Sequence, residues 1–457
     1  MADPRESNLE NIFRTYDIRG IFGKQLTEET AWVIGAAFAD FVSEDAEVVV
    51  GRDVRVSGET LRNSLVSGLV SKCKATDVGI VSTPMLYFAI DHLKQKAGIM
   101  ITASHNPPEW NGFKLFKQRG CFSGPEMAKI KQMAKTISMD KLSRKSGRTE
   151  KYDAVFQDYM NFIAINIRID KELKIVVDTA NGVCGPFVTS LFKQQGCDVL
   201  ALNEKPDGRF PAHLPEPKEE TLVELKKRVI KTEADFGVGY DGDGDRAVFV
   251  DEKGRVIPGD LALLIFAKDV LRKNKNARIV CELSCSMAVE EFIREHGGTP
   301  IVERVGHTFI MDRMITENAL LGGEKSSHFY FSECNGADDA IFASLRMAEI
   351  LSKTDEKLSE IFDSLPKYPS IYEDDFECPD ELKFTVIEML KSKFRDLGLK
   401  LLEADGVKLI DEEGWVLLRP SNTEPLIRVT AEAKTKKKLA ELREFAENEL
   451  KQAMKGR

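Results

Sequence analysis

The chain of 457 residues contains no long hydrophobic run. No apolar stretch approaches the ~18 residues that a membrane-spanning helix needs. The first ten residues (MADPRESNLE) also lack the apolar segment of a secretory signal. These absences predict a cytoplasmic protein that has no membrane as a partner.

The chain also lacks an excess of positive charge. Its 65 Lys and Arg residues are outnumbered by 74 Asp and Glu residues, and the formal net charge is −9. Because nucleic acids and anionic membranes attract basic surfaces, we expect neither as a general partner. An anionic small molecule would have to be attracted by a local basic site.

Closely spaced cysteines are almost absent. Among the eight, Cys281 and Cys285 lie close together, and no second pair completes a zinc site. We expect small buried side chains in a reducing compartment. The eight positions are Cys73, Cys121, Cys184, Cys197, Cys281, Cys285, Cys334 and Cys378.

What is present is the composition of an ordinary globular protein, with 42% apolar and 30% charged residues. The length predicts three or four domains. Short Val/Ile-rich runs alternate with amphipathic stretches, which is typical of α/β domains. Similar strand–loop–helix units begin near residues 47, 174 and 277, and they indicate three related domains.

The first informative segment is residues 102–107 (TASHNP). The apolar run before it predicts a buried strand, and Pro107 and Pro108 prevent an immediate helix. We therefore expect Ser104 on a loop at the end of a strand, where open α/β sheets place ligand sites. We interpret Ser104 as a serine that carries a phosphate. The alternative is an ordinary polar loop serine.

The second segment is residues 241–246 (DGDGDR). Its glycines let the backbone curl so that Asp241, Asp243 and Asp245 converge on one hard cation, and oxygen ligands beside a phosphate favour Mg²⁺. An EF-hand is one alternative, but its sixth position requires Gly and holds Arg246 here. A phosphatase-type aspartyl nucleophile is another, although Asp245 suits a third metal ligand better.

The third segment is residues 419–425 (RPSNTEP), with one more arginine just beyond. Arginine, hydroxyl and amide groups on a turn suit a phosphate, and a purely structural turn is the alternative. Together, the three segments indicate the transfer of phosphoryl groups between two ends of a small molecule. The candidate phosphate-binding residues are Arg419, Ser421, Asn422, Thr423 and Arg428.

With these segments the chain resembles the α-D-phosphohexomutase family, and within it the phosphomannomutase/phosphoglucomutase branch. The resemblance runs almost from end to end, and its motifs follow the family's order. The further matching segments are residues 13–20 (FRTYDIRG), 51–53 (GRD), 178–182 (DTANG), 206–217 (PDGRFPAHLPEP) and 322–328 (GGEKSSH).

The resemblance implies three similar mixed-sheet α/β domains followed by a smaller α+β C-terminal domain, arranged around a central cleft. We predict domain I with the phosphoserine loop at residues 1–150 and domain II with the metal loop at 151–255. Domain III, with the sugar-binding loop, is predicted at 256–367. Domain IV, with the phosphate-binding loop, is predicted at 368–457.

The resemblance also implies a reaction, the reversible interconversion of hexose 1-phosphate and hexose 6-phosphate, for mannose and glucose. Phosphoserine would give its phosphate to the sugar, and a 1,6-bisphosphate would turn around in the cleft. The implied cofactors are Mg²⁺ and glucose or mannose 1,6-bisphosphate as activator and primer. Small sugar phosphates are the expected partners of a monomer or weak homo-oligomer.

Matching family positions imply the remaining site residues. Phosphorylated Ser104 would join the three aspartates around the metal, and Arg246 would contact the transferring phosphate. His105, beside the nucleophile, is expected to orient the loop, and direct proton transfer by His105 is the alternative. The residues implied to bind the sugar phosphate, besides the phosphate-binding segment, are Tyr16, His307, Glu324 and Ser326.

The group that moves the proton of the attacking hydroxyl is left open among four candidates. A histidine is tunable near neutral pH, whereas Lys114 qualifies if its pKa is lowered. The candidates are Arg19, Lys114, His307 and His328.

Two positions depart from the family pattern. Ser327 stands where glycine is commoner, and Ser284 stands where relatives often carry a basic residue, so one phosphate contact is missing or relocated. His307 favours the branch named above, because the phosphoglucosamine branch usually carries an acidic residue there. Phosphoglucosamine mutase is the nearest alternative function, and a catalytically silent sugar-phosphate-binding protein is the alternative from another class.

Overall fold

A computed structural model of the chain describes residues 4–14, 16–43, 46–137, 149–403, 406–421 and 425–455. These residues form four β-sheets in succession along the chain. Of the predicted phosphate-binding residues, Asn422 and Thr423 lie outside this description. No helix within the described ranges is long and apolar enough to cross a membrane.

The first sheet is mixed and is packed with helices. Its elements are α1 (Pro4–Ile12), β1 (Ile18–Ile21), α2 (Glu28–Val42), β2 (Glu47–Arg52), α3 (Gly58–Leu69), β3 (Lys74–Ile80), α4 (Thr83–His92), β4 (Ala97–Ile101), β5 (Trp110–Lys117), α5 (Gly124–Thr136) and β6 (Thr149–Lys151). The strand order is β1-β5-β4-β2-β3-β6. All five residues of β4 (AGIMI) are buried, as expected of a central strand covered on both faces of the sheet.

The second sheet follows the same plan. Its elements are α6 (Val155–Asn166), β7 (Lys174–Asp178), α7 (Gly185–Gln194), β8 (Asp198–Leu202), α8 (Val223–Thr232), β9 (Phe236–Tyr240), β10 (Ala247–Asp251) and β11 (Val256–Ile257). The strand order is β11-β10-β9-β7-β8. Both flanks of the aspartate-rich segment are therefore strands, which excludes the helix–loop–helix of an EF-hand.

The third sheet has four strands in the order β13-β12-β14-β15. The elements of this part are α9 (Gly259–Lys273), β12 (Arg278–Glu282), α10 (Met287–Glu295), β13 (Thr299–Glu303), α11 (His307–Thr316), β14 (Leu321–Gly323), β15 (Phe329–Phe331), a 3₁₀ turn (Ser332–Cys334), α12 (Ala340–Ser352) and α13 (Leu358–Ser364). Asp339 caps α12 by accepting a hydrogen bond from Phe342 N.

The fourth sheet is entirely antiparallel, in the order β16-β20-β19-β18-β17. Its elements are β16 (Ser370–Glu377), α14 (Asp380–Asp396), β17 (Leu401–Leu402), β18 (Val407–Ile410), β19 (Gly414–Pro420), β20 (Leu426–Ala433) and α15 (Lys436–Lys455). Two helices and an antiparallel sheet make this the smaller α+β domain that was expected.

The internal repeat predicted from the sequence is confirmed by the topology of the first three sheets. Each contains three strands that run parallel to one another and a fourth strand that is antiparallel to its neighbour. The orders are β3-β2-β4-β5, β8-β7-β9-β10 and β13-β12-β14-β15. The β-pairings have the same sense in all three. The loop between the third and fourth strands is therefore an equivalent position in each repeat.

The apolar cores divide the chain differently from the sheets. One large cluster joins side chains of the first, second and third sheets, such as Met100, Val238 and Phe329. The fourth sheet packs around a cluster of its own. The domain boundaries at 150, 255 and 367 stay predictions, and we note that β6 and β11 pair with the sheets that precede them.

Candidate active site

Three loops in equivalent places of the three repeats meet at one site. They are residues 102–109 between β4 and β5, 241–246 between β9 and β10, and 324–328 between β14 and β15. Ser104 Oγ of the first loop donates a hydrogen bond to Asp241 Oδ2 of the second over 2.8 Å. The second and third loops are joined where Ala247 N donates to Ser327 O over 3.1 Å.

The first two loops touch through backbone as well as side chains. A Cβ atom added to Gly242 would lie 2.5 Å from the carbonyl oxygen of Ser104. Since real Cβ atoms do not approach backbone so closely, a glycine at 242 is required for this contact.

Ser104 is held in an uncommon backbone conformation. Its φ angle is 49°, in the left-handed region, and the residue is buried. Its backbone N–H donates to Thr102 Oγ1 over 2.9 Å. The Ser104 hydroxyl proton is used on Asp241, so His105 Nδ1, 3.1 Å away, is left to donate to Oγ. This geometry agrees with an orienting role for His105.

The serine loop is fixed by Arg55, which the sequence analysis did not select. Its guanidinium donates to four backbone carbonyl oxygens at 2.6–2.8 Å. Asp53 accepts from Arg55 Nε and from Thr102 Oγ1, at 3.2 and 2.7 Å. Phe210 lies 5.0 Å from the guanidinium. The four carbonyl acceptors belong to Ser104, Asn106, Pro107 and Trp110.

Arg19 adds a second support at the outer side of the same loop. Its Nη1 donates to Asn106 Oδ1 over 2.6 Å, and its Nε donates to Asp17 Oδ2 over 2.7 Å. Arg19 is thus engaged as a cation in structural contacts beside Ser104.

The three aspartates of the second loop converge as the sequence predicts. Asp241, Asp243 and Asp245 are buried, and one carboxylate oxygen of each lies within 4.8 Å of the others. The backbone curls because Asp241 Oδ1 accepts N–H groups of Gly244, Asp245 and Arg246. Burial, together with the charges of Asp245 and Asp243, raises the pKa of Asp241 well above its usual range.

The donor set suits a hard cation. Oδ1 of Asp243 and Oδ1 of Asp245 are buried and have no hydrogen-bond partner. A buried carboxylate oxygen without a partner is costly, and a bound cation would satisfy both atoms. Three carboxylates are a ligand set typical of Mg²⁺ or Ca²⁺.

Lys114 extends from β5 into this carboxylate cluster. Its Nζ donates to Asp243 Oδ2 over 2.8 Å and to Asp245 Oδ2 over 2.5 Å. Burial alone would lower the pKa of Lys114, but the two carboxylates outweigh it and raise the pKa above its ordinary value. The lowered pKa on which a proton-transfer role for Lys114 depended is therefore absent.

His328 of the third loop links the metal loop to a further carboxylate. Arg246 Nε donates to His328 Nε2 over 2.9 Å, and His328 Nδ1 lies 2.7 Å from Asp338 Oδ2. A guanidinium can only donate, so this contact needs Nε2 to accept and the ring proton to reside on Nδ1. Burial alone would lower the pKa of His328, but the carboxylates of Asp245 and Asp338 outweigh it and raise the pKa to about 9, which favours the doubly protonated ring and opposes the contact with Arg246. In this arrangement both ring nitrogens are engaged, and His328 orients Arg246.

His307, at the start of α11, has a different environment. Its ring lies edge-on to Tyr16 and stacks on His328, with centroids 5.3 and 6.1 Å apart. Burial lowers the pKa of His307 to about 4. Within the ranges the structure describes, no group hydrogen-bonds to its ring nitrogens. His307 is thus a neutral imidazole with available nitrogens at pH 7.

The third loop carries the residues expected to hold the sugar. Glu324 is buried and accepts a hydrogen bond from Tyr330 OH. Burial raises the pKa of Glu324 to about 7. Ser326 is exposed and lines an adjoining cavity of about 400 Å³. Glu282, at the end of β12, orients this loop by accepting Lys325 N over 3.1 Å.

The predicted phosphate-binding arginines lie on the opposite wall of that cavity. Arg419 of β19 is paired directly with Arg428 of β20, and both line the cavity. Like charges placed directly opposite each other on neighbouring strands repel, so the pair is suited to a bound anion. Ser421 is buried one residue beyond β19.

Comparison with known proteins identifies the family. Models of phosphoglucomutase/phosphomannomutase match the chain in four places: α/β/α domain I at residues 10–141, α/β/α domain II at 157–254, α/β/α domain III at 258–368 and the C-terminal domain at 376–449. The phosphomannomutase/phosphoglucomutase of Pseudomonas putida is 37% identical over 449 residues, which cover 96% of each chain.

The chain belongs to the phosphoglucomutase/phosphomannomutase family. A solved structure of a protein of this family from Burkholderia thailandensis superposes with a TM-score of 0.90 at 32% identity, covering 100% of this chain and 99% of that one. A probable phosphoglucosamine mutase of Methanopyrus kandleri is 35% identical over 441 residues, covering 95% of this chain and 97% of the relative. The predicted family and four-domain architecture are confirmed.

As a member of this family the chain also shows site residues that motif matching did not select. Arg55 holds the serine loop, Thr83 Oγ1 donates to Asp243 Oδ2 over 2.6 Å, and Asp338 holds His328. Arg55 lies two residues beyond the GRD segment, which was a usable signal. Thr83 and Asp338 carry no local signal, because their partners are distant in sequence.

Proposed function

We propose that the chain is an isomerase that interconverts hexose 1-phosphate and hexose 6-phosphate, acting on mannose and glucose, through a phosphate carried on Ser104. The observation that carries this proposal is the contact of Ser104 Oγ with the aspartate cluster, 2.8 Å from Asp241 Oδ2. A serine beside three buried carboxylates is positioned for a phosphoryl group bridged by a cation.

Asp241, Asp243 and Asp245 would hold Mg²⁺, with an oxygen of phosphorylated Ser104 beside them. Bound there, Mg²⁺ would neutralise the phosphate charge of about −1.5 to −2. Lys114, protonated because of its raised pKa, and Arg246 would add positive charge around the same phosphate. In this role Lys114 stabilises charge and leaves the proton transfer to another group.

The proposed reaction has two transfers. The 6-hydroxyl oxygen of a hexose 1-phosphate bonds to phosphorus as the bond from phosphorus to Ser104 Oγ breaks. The hydroxyl proton passes to a base, the electrons of the broken bond stay on Ser104 Oγ, and the products are the 1,6-bisphosphate and unphosphorylated Ser104. After this intermediate turns end for end, Ser104 Oγ bonds to the phosphorus at carbon 1 as the bond from that phosphorus to the sugar oxygen breaks, and the proton returns from the base to that sugar oxygen. Hexose 1,6-bisphosphate would therefore also prime an enzyme that has lost its phosphate.

We assign the proton-accepting role to His307. Among the four candidates, Arg19 and Lys114 are cations in ion pairs, and His328 has both nitrogens engaged. His307 has ring nitrogens without a hydrogen-bond partner among the described residues. Burial lowers its pKa to about 4, so it is neutral at pH 7 and can accept a proton, as a weaker base than an ordinary histidine.

The distal phosphate would bind between the third and fourth sheets. Arg419 and Arg428 would supply charge there, and the hydroxyl and amide groups of Ser421, Asn422 and Thr423 would supply hydrogen bonds. Glu324 and Ser326 would hold ring hydroxyls away from carbon 2, with Tyr16 and His307 closing the opposite side. Because glucose and mannose differ only at carbon 2, this arrangement favours neither sugar strongly.

One observation favours the alternative, phosphoglucosamine mutase. Glu282 lines the cavity, is buried and has one carboxylate oxygen, Oε2, without a hydrogen-bond partner. That oxygen could accept a bond from the 2-amino group of glucosamine. The sequence by itself revealed no such partner.

The deciding experiment is the measurement of kcat/KM for glucose 1-phosphate, mannose 1-phosphate and glucosamine 1-phosphate, with Mg²⁺ and a trace of hexose 1,6-bisphosphate. Comparable values for the first two and little for the third are expected. A tenfold preference for the amino sugar would instead support the alternative.

The matched control is Ser104→Ala. This variant should lose turnover of all three substrates, and wild-type protein should carry a phosphate that mass spectrometry locates on Ser104. Retained turnover in Ser104→Ala would exclude the phosphoserine mechanism.

A further inference from the structure

The cavity between the third and fourth sheets contains more charge than the phosphate-binding segment supplies. It has a volume of about 400 Å³, and its charged lining residues are Glu282, Lys325, Arg419 and Arg428. Ser284 and Ser326 contribute hydroxyl groups. One of these cations, Lys325, comes from the sugar-binding loop and not from the fourth domain.

Lys325 is held so that its amine lies over the turn between β12 and α10. Its backbone N–H donates to Glu282 Oε1 over 3.1 Å, and its Nζ is 3.4 Å from the carbonyl oxygen of Ser284. The amine of Lys325 therefore lies next to the backbone of residue 284, at the wall of the cavity.

Position 284 itself brings no charge to the cavity. The hydroxyl of Ser284 donates to Glu282 Oε1 over 2.5 Å, so its proton is already used. A longer, cationic side chain at 284 would start from the place that the Lys325 amine now reaches. A cation at either position would therefore place its charge in the same part of the cavity.

Among the residues that line the cavity, the charges match a phosphate only if Lys325 is counted. Outside the lining, Asp375 Oδ1 lies 3.6 Å from Arg428 Nε and draws further on the positive charge. Glu282 offsets one of the three positive charges of Arg419, Arg428 and Lys325, and two remain. A phosphate monoester carries about −1.5 to −2 at neutral pH. Without Lys325, the cavity would present one net positive charge to a dianion.

We propose that Lys325 is the third cation of the distal phosphate site and contributes the positive charge that Ser284 does not supply. This inference rests on the proposed function, because it assigns a ligand to the cavity of the same enzyme. Lys325 binds whichever phosphate of the sugar is not being transferred. It therefore acts equally on ground state and transition state, and its loss raises KM more than it lowers kcat.

The test replaces Lys325 with methionine, which keeps most of the length of the side chain and removes its charge. We expect KM for glucose 1-phosphate to rise about 10- to 100-fold, the effect of one charge-assisted contact, with a smaller change in kcat. Lys325→Arg should keep KM within about threefold of the wild type. Lys268→Met, which removes an exposed lysine on α9, is the matched control and should change nothing.

The sharper test is rescue. In the double variant Lys325→Met/Ser284→Lys, a lysine at 284 restores the charge in the same part of the cavity, and KM should return to within about fivefold of the wild type. A purely structural role of Lys325 would not be rescued in this way. Failure of the double variant to improve on Lys325→Met would overturn the proposal.

A binding measurement separates this inference from the proposed function. In a Ser104→Ala background, calorimetric titration with glucose 6-phosphate reports binding without turnover. Weaker binding after Lys325→Met supports the proposal, and unchanged binding overturns it while leaving the mutase function intact. If the Ser104→Ala protein itself binds no sugar phosphate, both the proposed function and the role of Lys325 are wrong.

Discussion

At the scale of the residue, burial decides which protonation state each ionisable group of the site holds. His307 is neutral because its burial disfavours the imidazolium form. Lys114 is charged despite its burial because two carboxylates lie against it. Neighbouring groups of similar chemistry are thus given different roles by their surroundings.

The titration of His307 follows from this. We expect the imidazole to titrate near pH 4, well below its ordinary value of 6.5. The unfolded chain binds a proton at this imidazole more readily than the native protein does. The contribution of His307 to the free energy of unfolding therefore decreases as the pH falls from 6.5 towards 4, and it does not change above pH 6.5. An NMR titration of labelled histidines, with His307→Gln to assign the signal, measures it. A midpoint near 6.5 would contradict the burial argument.

Arg55 carries the second prediction at this scale. Arg55→Met leaves Asp53 as a buried charge without its partner, and breaking such a pair costs about 3–5 kcal/mol. Both side chains are fully buried. The serine loop also loses four carbonyl contacts, so kcat should fall by about tenfold or more. Urea unfolding and steady-state kinetics measure the two effects.

The control for Arg55 is Arg209→Met. Arg209 also pairs with an aspartate two residues earlier, Asp207, but its side chain is 77% exposed. Little change in the unfolding midpoint is expected there. Equal effects of the two substitutions would show that the buried network does not hold the loop.

At the scale of the element, the site depends on a repeated connection. In each of the three repeats of four strands, the chain leaves the third strand of the repeat, forms a short loop and returns antiparallel as the fourth strand. The three connections are β4 to β5, β9 to β10 and β14 to β15. The three loops meet because three sheets of the same plan pack against one another. The contact between the first two loops leaves no space for a side chain at Gly242.

Gly242→Ala is the prediction that tests this contact. The added Cβ would lie 2.5 Å from the Ser104 carbonyl oxygen, so the loops must separate and the bond of Ser104 to Asp241 lengthens. A misplacement of about 1 Å can cost about a hundredfold in rate, and we expect a loss of that order in kcat. The melting temperature should also fall, because forcing an extra methyl group into a packed contact costs about 1–3 kcal/mol.

Gly58→Ala is its matched control. A Cβ at Gly58 meets its nearest atom at 3.5 Å, an ordinary contact, and alanine favours the helix that begins there. Activity and melting temperature should be unchanged or slightly raised. If Gly242→Ala behaved in the same way, the close approach of the two loops would not matter for the reaction.

At the scale of the whole molecule, the fourth domain is attached differently from the other three. Its own core is separate, and a small cluster of Leu283, Trp415 and Leu417 joins it to the third domain. Lys408 lies in this interface, where its Nζ donates to Leu283 O over 2.5 Å and lies 3.9 Å from the Trp415 ring. A small interface with a buried charge suits a domain that moves.

Lys408 makes the docking of the fourth domain dependent on pH. Burial lowers the pKa of Lys408 to about 8, from an ordinary 10.5. Between pH 8 and 10.5 the unfolded chain then binds more protons at this residue than the native protein does. The free energy of unfolding therefore rises as the pH rises from 8 to 10.5, by about 3 kcal/mol. Lys408→Met should remove this rise and be more stable than the wild type at pH 7.

Differential scanning calorimetry of the wild type and of Lys408→Met at pH 7, 8, 9 and 10 measures this dependence of stability on pH. Other groups titrate in this range, so the quantity of interest is the difference between the two proteins. That difference should shrink as the pH rises. A constant difference would mean that Lys408 stays fully charged in the native protein.

Much of the fold and of the site followed from local sequence patterns. The predicted strands near residues 47, 97, 174 and 277 are β2, β4, β7 and β12. The serine loop and the aspartate loop lie where apolar runs and glycines placed them. Such features are predictable because their determinants are neighbours along the chain.

The contacts between these segments could not be predicted in the same way. Ser104 meets Asp241 across 137 positions, and Lys114 meets Asp245 across 131. No local pattern encodes such distances. Whether Lys114 meets the condition for a proton-transfer role, a lowered pKa, could not be judged from the sequence for this reason, because its carboxylate partners become its neighbours only when the sheets pack together.

By itself, then, the sequence determined the chemistry available to this protein. It supplied a serine on a loop at the end of a strand, three carboxylates on a glycine-containing loop and a phosphate-binding segment with arginines. Only the tertiary structure decided how these groups act together. It made Arg55 the support of the serine loop, left His307 neutral and Lys114 positively charged, and brought Lys325 to the wall where Ser284 offers no charge. The physical reason is that burial and electrostatic energy depend on distances in space, which packing sets.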